Sequence, residues 1–210
     1  MEIYSTEEER LEALQRWWKE NKTSIFYGLL LGLALIAGWR MWQSNKQETA
    51  QQASLAYHQL TEALQAKQND SALKQAERLI QQYPSTTYAE FARLFMARLK
   101  VEAGDLDAAR KILEEELSHS KDEPLKHIVR LRLARVMLAK GDVEPALKLL
   151  DSVPAASIGK FEAQYAELRG DLLAAAKRPS EARAAYAKAK ELGDSSPMLE
   201  LKLNDLPAAP

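Results

Sequence analysis

The longest apolar stretch of the chain lies near its N-terminus. Residues 24–42, SIFYGLLLGLALIAGWRMW, contain no acidic residue and one basic residue, Arg40. As a helix with a rise of about 1.5 Å per residue, this stretch is roughly 28 Å long, enough to cross the hydrocarbon core of a bilayer. A single segment in a bilayer must satisfy its own backbone hydrogen bonds, so we predict a transmembrane helix over 24–42.

Tryptophan and glycine positions support a membrane anchor. The four tryptophans of the chain flank the apolar stretch, where such amphipathic rings occupy the membrane interfaces. Gly28 and Gly32 have a four-residue spacing that permits a close helix contact, although glycine is common in membrane helices and a helix partner stays an open question. The predicted anchor residues are Trp18, Gly28, Gly32, Gly38, Trp39 and Trp42.

Residues 1–23 are predicted to form a cytoplasmic tail. Thr6 and Glu9 have the spacing of a capping box. Apolar residues then recur at helical intervals, at Leu11, Leu14, Trp17 and Trp18. Two interpretations stay open, an amphipathic helix on the membrane surface and a solvated tail with one helical turn.

The charges around the span predict its orientation. An acidic start and the lack of an A-x-A site argue against a cleaved signal peptide. Basic residues before the span outnumber those just after it: Arg10, Arg16, Lys19 and Lys22 against Arg40 and Lys46. Because basic residues favour the cytoplasmic side, we expect a cytoplasmic N-terminus and a large C-terminal domain on the other side of the membrane.

Helical periodicity continues beyond the span. Residues 43–67 contain no Gly or Pro and are predicted to form a membrane-proximal helix. Residues 68–210 contain a repeat in which GDL at 104–106 is echoed by GDV at 141–143. The repeat carries anchor alanines at intervals of 33, 37 and 36 residues, at Ala76, Ala109, Ala146 and Ala182.

The repeat unit predicts a helical hairpin. Gly tolerates the left-handed conformation that ends a helix, and the following Asp accepts a hydrogen bond from the start of the next helix. Small residues precede the turns, where two helices must approach closely, at Ala97, Ala134 and Gly170. A period of 33 to 37 residues resembles the tetratricopeptide repeat (TPR). We therefore predict an all-α fold, with one transmembrane helix followed by a TPR-like α-solenoid of helical hairpins.

Composition excludes several classes of function. The chain has 8 Gly and 8 Pro in 210 residues, as expected for stacked helices. Its net charge of −1 gives no indication of nucleic-acid binding. It has no Cys, which excludes disulfides, zinc–thiolate sites and thiol nucleophiles. No catalytic or phosphate-binding motif is present, and His58, His119 and His127 are isolated and predicted to be surface or capping residues. We predict no enzyme activity, no cofactor, no metal and no small-molecule substrate.

The repeats predict a protein-binding groove lined by the first helix of each hairpin. The candidate groove residues are Phe91, Leu94, Phe95, Arg98, Ile128, Leu131, Arg132, Arg135, Gln164, Glu167 and Asp171. Aromatic and arginine side chains are frequent interface anchors. The alternative is that Phe91, Phe95 and Leu131 belong to the core.

Several stretches together resemble a known family, the YfgM family of ancillary subunits of the bacterial Sec translocon. They are MEIY at 1–4, GWRMW at 38–42, ASLAY at 53–57, LRLARV at 131–136, LRG at 168–170 and LKLNDL at 201–206. The resemblance covers tail, anchor and repeats, and it is weakest over 66–92. It implies a single-pass protein of the bacterial inner membrane with a periplasmic TPR-like domain. It also implies association with the SecYEG translocon and with a membrane-anchored periplasmic chaperone of the PpiD type.

Two functions follow as hypotheses. The first is a non-enzymatic adaptor at the translocon that helps to pass newly translocated proteins to periplasmic chaperones. The alternative is an envelope scaffold that recruits cell-wall or outer-membrane assembly proteins through the same groove.

The predicted orientation can be tested with a reporter enzyme that is active only in the periplasm. Fused after Pro210 it should be active, and fused before Met1 it should be inactive, because the basic residues before the span keep the N-terminus in the cytoplasm. The opposite pattern would exclude a periplasmic role.

Overall fold

The structure, a computed structural model, describes residues 7–193 and 196–207. The predicted all-α class is confirmed, since 87% of the described residues are helical and none of them forms a strand. Thr6 of the predicted capping box lies outside the described residues. The helices are α1 Glu7–Gln65, α2 Asn69–Gln82, α3 Thr87–Glu102, α4 Leu106–His119, α5 Glu123–Lys140, α6 Val143–Asp151, α7 Ala155–Ile158, α8 Glu162–Ala175, α9 Pro179–Glu191 and α10 Pro197–Asp205. A 3₁₀ turn, Gly159–Phe161, joins α7 to α8.

The chain divides into two compact units, Met1–Gln52 and Ala53–Pro210. Within the first unit, α1 carries the only apolar stretch among the described residues that is long enough to cross a membrane, with a mean hydropathy of 1.5 and none of it buried. A helix of this length with apolar side chains on every side is typical of a membrane span. The predicted helical span is therefore part of one long helix.

Five of the six predicted anchor residues are exposed on this helix, and Gly32 is half-buried. The rings of Trp39 and Trp42 are 5.1 Å apart, and the Lys46 ammonium lies 4.0 Å from the centre of the Trp42 ring. Gly28, Gly32 and Gly38 have no atom within 4 Å of the position that a Cβ would take. Trp18 and Trp39 are separated by about 32 Å along the helix axis, which matches the distance between two membrane interfaces.

The second unit is a stack of four helical hairpins. The hairpins pair α3 with α4, α5 with α6, and α8 with α9, and α10 packs against α9. The end of α1 pairs with α2, since their buried residues belong to one cluster. Their buried apolar residues form two clusters, one around α1–α3 and the other from α3 to α10. No hairpin can bury its apolar face alone, so each depends on its neighbours for stability.

The turn inside each hairpin has the same geometry. A residue with positive φ, between 54° and 83°, ends the first helix, at Lys67, Gly104, Gly141 and Lys177. Its N–H and that of the next residue donate to carbonyls three and five residues earlier, at 2.9–3.1 Å. This Schellman arrangement satisfies the free carbonyls at the helix end and reverses the chain within a few residues.

The turns correct the predicted register of the first repeat. Ala109, Ala146 and Ala182 each lie five residues after the turn residue, and the equivalent after Lys67 is Ala72, not Ala76. The intervals between anchor alanines become 37, 37 and 36 residues. The prediction was wrong here because a lysine, rather than a glycine, occupies the left-handed position. Ala76 is also buried, one turn further along α2.

The two Gly-Asp turns differ in how they begin the next helix. The Asp105 carboxylate accepts from the amide of Ala108 at 3.1 Å, as predicted for a helix cap. Asp142 makes no such bond, and its carboxylate instead accepts from the Arg110 guanidinium of the preceding hairpin at 2.8 Å. The same residue type therefore caps a helix in one repeat and joins two repeats in the next.

The small residues before the turns let the paired helices approach. Ala97, Ala134 and Gly170 are buried, at the positions predicted. A Cβ built on Gly170 would lie 2.3 Å from two carbon atoms of the Tyr186 ring, which therefore occupies the space left by the missing side chain. The Tyr186 hydroxyl donates to Asp171 at 2.8 Å and fixes the ring in that position.

We expect Gly170→Ala to destabilise the repeat unit. Alanine normally stabilises a helix by about 0.5–1 kcal/mol relative to glycine, whereas overpacking a core costs about 1–3 kcal/mol, so the clash with the Tyr186 ring decides the sign. Thermal unfolding of the full-length protein in detergent, followed by circular dichroism, should show a lower Tm.

The control is the double variant Gly170→Ala with Tyr186→Leu. The smaller side chain makes room for the new methyl group, so the loss from Gly170→Ala should be smaller in the Tyr186→Leu background than in the wild type. A Tm for Gly170→Ala that equals the wild-type value would contradict the packing described.

Candidate protein-binding groove

A concave groove lies between α3, α4 and α5. Its volume is about 380 Å³. It is lined by Leu94, Ala97, Arg98, Val101, Glu102, Leu106, Leu113, Arg132, Arg135, Val136 and Ala139. We call this surface the arginine groove. The lining residues of α3 lie three or four positions apart, as do those of α5, so each set shares one face of its helix.

The floor of the arginine groove is apolar. Leu94, Leu113 and Val136 are at most 6% exposed and form part of the core. Val101 is 40% exposed, so it offers an apolar surface to a partner. Apolar side chains that remain accessible at the base of a concave surface are the usual contacts for a buried partner residue.

Three guanidinium groups lie over this floor. Arg98 donates from Nε to Glu102, one turn further along α3, at 2.7 Å. Desolvation, followed by repulsion from Arg135 and Arg98, lowers the pKa of Arg132 from its ordinary value. Arg132 is an exposed residue, and its concave surroundings remove part of the hydration of its guanidinium group. Arg98 and Arg135 are therefore close enough to Arg132 to repel it.

An aromatic cluster continues the same face of α3. The Tyr57 ring of α1 lies 5.5 Å from that of Tyr88 and 6.1 Å from those of Phe91 and Phe95. Phe91 is 38% exposed, whereas Phe95 is half-buried and packs against the core around α1–α3. Burial, with repulsion from Tyr88 as a smaller cause, raises the pKa of the Tyr57 hydroxyl.

The predicted residues of the second and third hairpins separate into groove and core. Leu94, Arg98, Arg132 and Arg135 line the arginine groove. Leu131 is 2% exposed and lies in the core, and Ile128 is half-buried against it. On α5, the two arginines therefore face the groove while Leu131, adjacent to Arg132, faces inward.

The predicted residues of the fourth hairpin do not join this groove. The Lys202 ammonium of α10 lies 2.7 Å from Glu167 and 2.8 Å from Asp171. Those two carboxylates therefore hold α10 in place, and Gln164 is exposed on α8 without lining the arginine groove. Arg183 adds hydrogen bonds to the carbonyls of Leu206 and Pro207, at 3.2 and 2.9 Å.

Sequence reasoning missed several lining residues. Val101 and Glu102 continue the face of α3 that carries Arg98, so extending the helical spacing by one turn would have identified them. Leu106, which opens α4, was also missed, as was Tyr57 of α1 in the neighbouring aromatic cluster. Their approach to α3 depends on how the hairpins stack, which no local pattern records.

His127 differs from its prediction as a surface or capping residue. It is 5% exposed, its Nε2 lies 3.1 Å from the Ser157 carbonyl, and its Nδ1 lies 2.9 Å from the Tyr165 hydroxyl. A carbonyl only accepts, so Nε2 carries the proton and, in the neutral ring, Nδ1 accepts from Tyr165. The ring of Phe161 stacks on it at 5.1 Å. Its role is to fasten the segment between α6 and α8 to α5.

Solved structures confirm the class of fold. A structure of MamA from Desulfovibrio magneticus RS-1 has a TM-score of 0.58 and 18% identity, and covers 72% of this chain and 81% of its own. A structure of PilF from Pseudomonas aeruginosa has a TM-score of 0.61 and 16% identity, and covers 75% of this chain and 68% of its own. The tetratricopeptide repeat-like domain family matches residues 15–208. The fold is therefore that of a tetratricopeptide repeat-like protein.

Relatives with similar sequences identify the family within this class of protein. The ancillary SecYEG translocon subunit of Haemophilus influenzae is 36% identical over 207 residues, which cover 97% of this chain and 99% of the relative. The protein of that name from Escherichia coli is 33% identical over 209 residues, with coverage of 98% and 99%. The chain belongs to this family of ancillary SecYEG translocon subunits, as the resemblance predicted.

Proposed function

We propose that this protein is a non-enzymatic, membrane-tethered adaptor at the Sec translocon. It sits in the bacterial inner membrane with its N-terminus in the cytoplasm and its repeats in the periplasm. There it helps to pass newly translocated proteins to periplasmic chaperones, including a membrane-anchored chaperone of the PpiD type.

The observation that carries this proposal is similarity along the full chain to relatives named as translocon subunits. The matched lengths include the apolar part of α1 as well as the hairpins. A TPR-like stack has no chemistry of its own and offers a surface for proteins. Among the described residues, no group of three or more His, Asp or Glu side chains could hold a metal ion.

The membrane anchor allows a groove of low affinity to be effective. A tether restricts the repeats to the membrane surface, which raises their effective concentration near any membrane partner to the millimolar range.

Hand-over of a newly translocated protein also requires that the groove release it. With an association rate of about 10⁶ M⁻¹ s⁻¹, a Kd of about 10 μM corresponds to roughly ten dissociation events per second. The arginine groove and the exposed face of Phe91 are the proposed site of this reversible contact.

Co-purification from membranes tests the proposal. Tagged full-length protein, extracted in a mild detergent, should recover SecYEG and a PpiD-type chaperone. Phe91→Ala and Arg135→Gln should each reduce recovery of the groove-bound partner, because truncating an interface anchor commonly costs about 2 kcal/mol, roughly thirtyfold in affinity. Their Tm values should stay close to that of the wild type.

The matched control is Arg78→Gln, an exposed arginine on α2 that does not line the groove. It should recover both partners at the wild-type level. If the wild-type protein recovers neither SecYEG nor the chaperone, the proposed function is wrong. If the groove variants recover both partners as well as Arg78→Gln does, binding lies elsewhere on the protein.

A further inference from the structure

The arginine groove is more positively charged than the chain as a whole. Three arginines and one glutamate line it, so positive charge exceeds negative by two, whereas the whole chain has a net charge of −1. Some basic side chains elsewhere in the stack pair with acids of other helices. Arg110 contacts Asp142 at 2.8 Å, and Arg93 contacts Glu116 at 3.1 Å.

The arginines of the groove have little such compensation. In the part of the chain that the structure describes, Arg132 and Arg135 form no ion pair. The pair between Arg98 and Glu102 joins residues one turn apart on α3, with side chains that are 64% and 42% exposed. An exposed pair of this kind contributes little to stability and is readily exchanged for an external carboxylate.

Apolar surface lies beside this charge in two places. Val101 and Leu106 lie in the groove itself. Phe91 lies seven residues before Arg98 on α3, which places the two side chains on the same face about 10 Å apart. An extended peptide spans that distance with about three or four residues.

We propose that the arginine groove binds an acidic amphipathic segment of a partner protein. Its carboxylates contact Arg98, Arg132 and Arg135, and its apolar side chains cover Val101, Leu106 and the exposed face of Phe91. This inference rests on the proposed function only in using the same groove, and it specifies the chemistry of the segment that enters it.

Charge complementarity selects this occupant over two others. A basic segment would add positive charge to a surface that already carries three guanidinium groups. A neutral apolar segment would cover the guanidinium groups and remove their water without supplying an acceptor, which is costly for a charged donor. A carboxylate removes the repulsion and forms charge-assisted hydrogen bonds, which are the stronger kind.

Three synthetic peptides provide the test. Each has about ten residues, enough to span the distance from Phe91 to Arg98 with a margin, and alternates Leu with Glu, Gln or Lys. Binding of the fluorescein-labelled peptides to the full-length protein, in a nonionic detergent, is measured by fluorescence anisotropy. The Glu peptide should bind at least about tenfold more tightly than the Gln peptide, as expected for one charge-assisted hydrogen bond. The difference should shrink between about 50 and 300 mM salt.

Variants of the groove arginines test whether the preference for the Glu peptide arises in the groove. Arg132→Gln and Arg135→Gln should each weaken binding of the Glu peptide by about tenfold and leave binding of the Gln peptide unchanged. Arg78→Gln should behave like the wild type. Arg132→Glu should weaken binding of the Glu peptide further and improve binding of the Lys peptide. Unchanged Tm values would show that each variant is folded.

Equal affinity for the Glu and Gln peptides would overturn the inference, as would Arg132 and Arg135 variants that bind the Glu peptide like the wild type. Either result leaves the proposed function intact if SecYEG and the chaperone still co-purify with the full-length protein. Loss of that co-purification, in contrast, contradicts the proposed function whatever the peptides show.

Discussion

The repeat unit depends on the close approach of two helices across a short left-handed turn. Each turn satisfies the carbonyls at the end of one helix and starts the next within a few residues, so the helices meet along alanines and, in the last hairpin, along Gly170. The missing Cβ of Gly170 is filled by the Tyr186 ring, and the hydroxyl of that ring holds Asp171, which in turn holds Lys202 of α10. The absence of a side chain at Gly170 thus permits the packing that links α8, α9 and α10.

The same packing creates the surface for function. Because the first helix of each hairpin turns one stripe inward, the remaining stripe of α3 and α5 faces the concave side. There Arg98, Arg132 and Arg135 keep their charge without strong compensation, while Leu94 and Val136 beneath them belong to the core. At the fourth hairpin, Glu167 and Asp171 instead pair with Lys202 of α10 and contribute to stability.

The membrane span and two of the turns were predictable because short stretches of sequence encode them. The apolar stretch over 24–42 and the turns at Gly104 and Gly141 are visible in residue types and spacings. The register of the first repeat was missed because Lys67 occupies a position where glycine is expected. The pairing of Glu167 with Lys202 joins residues 35 apart in sequence, and the burial of His127 joins α5 to a segment 30 residues later. Contacts of this kind arise from the stacking of hairpins, which a local pattern does not contain.

Site-specific crosslinking from the groove tests the central claim most directly. The chain has no cysteine, so Val101→Cys gives a unique attachment point at the groove floor for a photoactivatable reagent, and Ala184→Cys gives an exposed control on α9. In isolated inner membranes, the probe at position 101 should crosslink to SecYEG or to a PpiD-type chaperone, and the probe at position 184 should not. Crosslinks to these partners from position 184 alone would contradict the assignment of the groove as the binding surface.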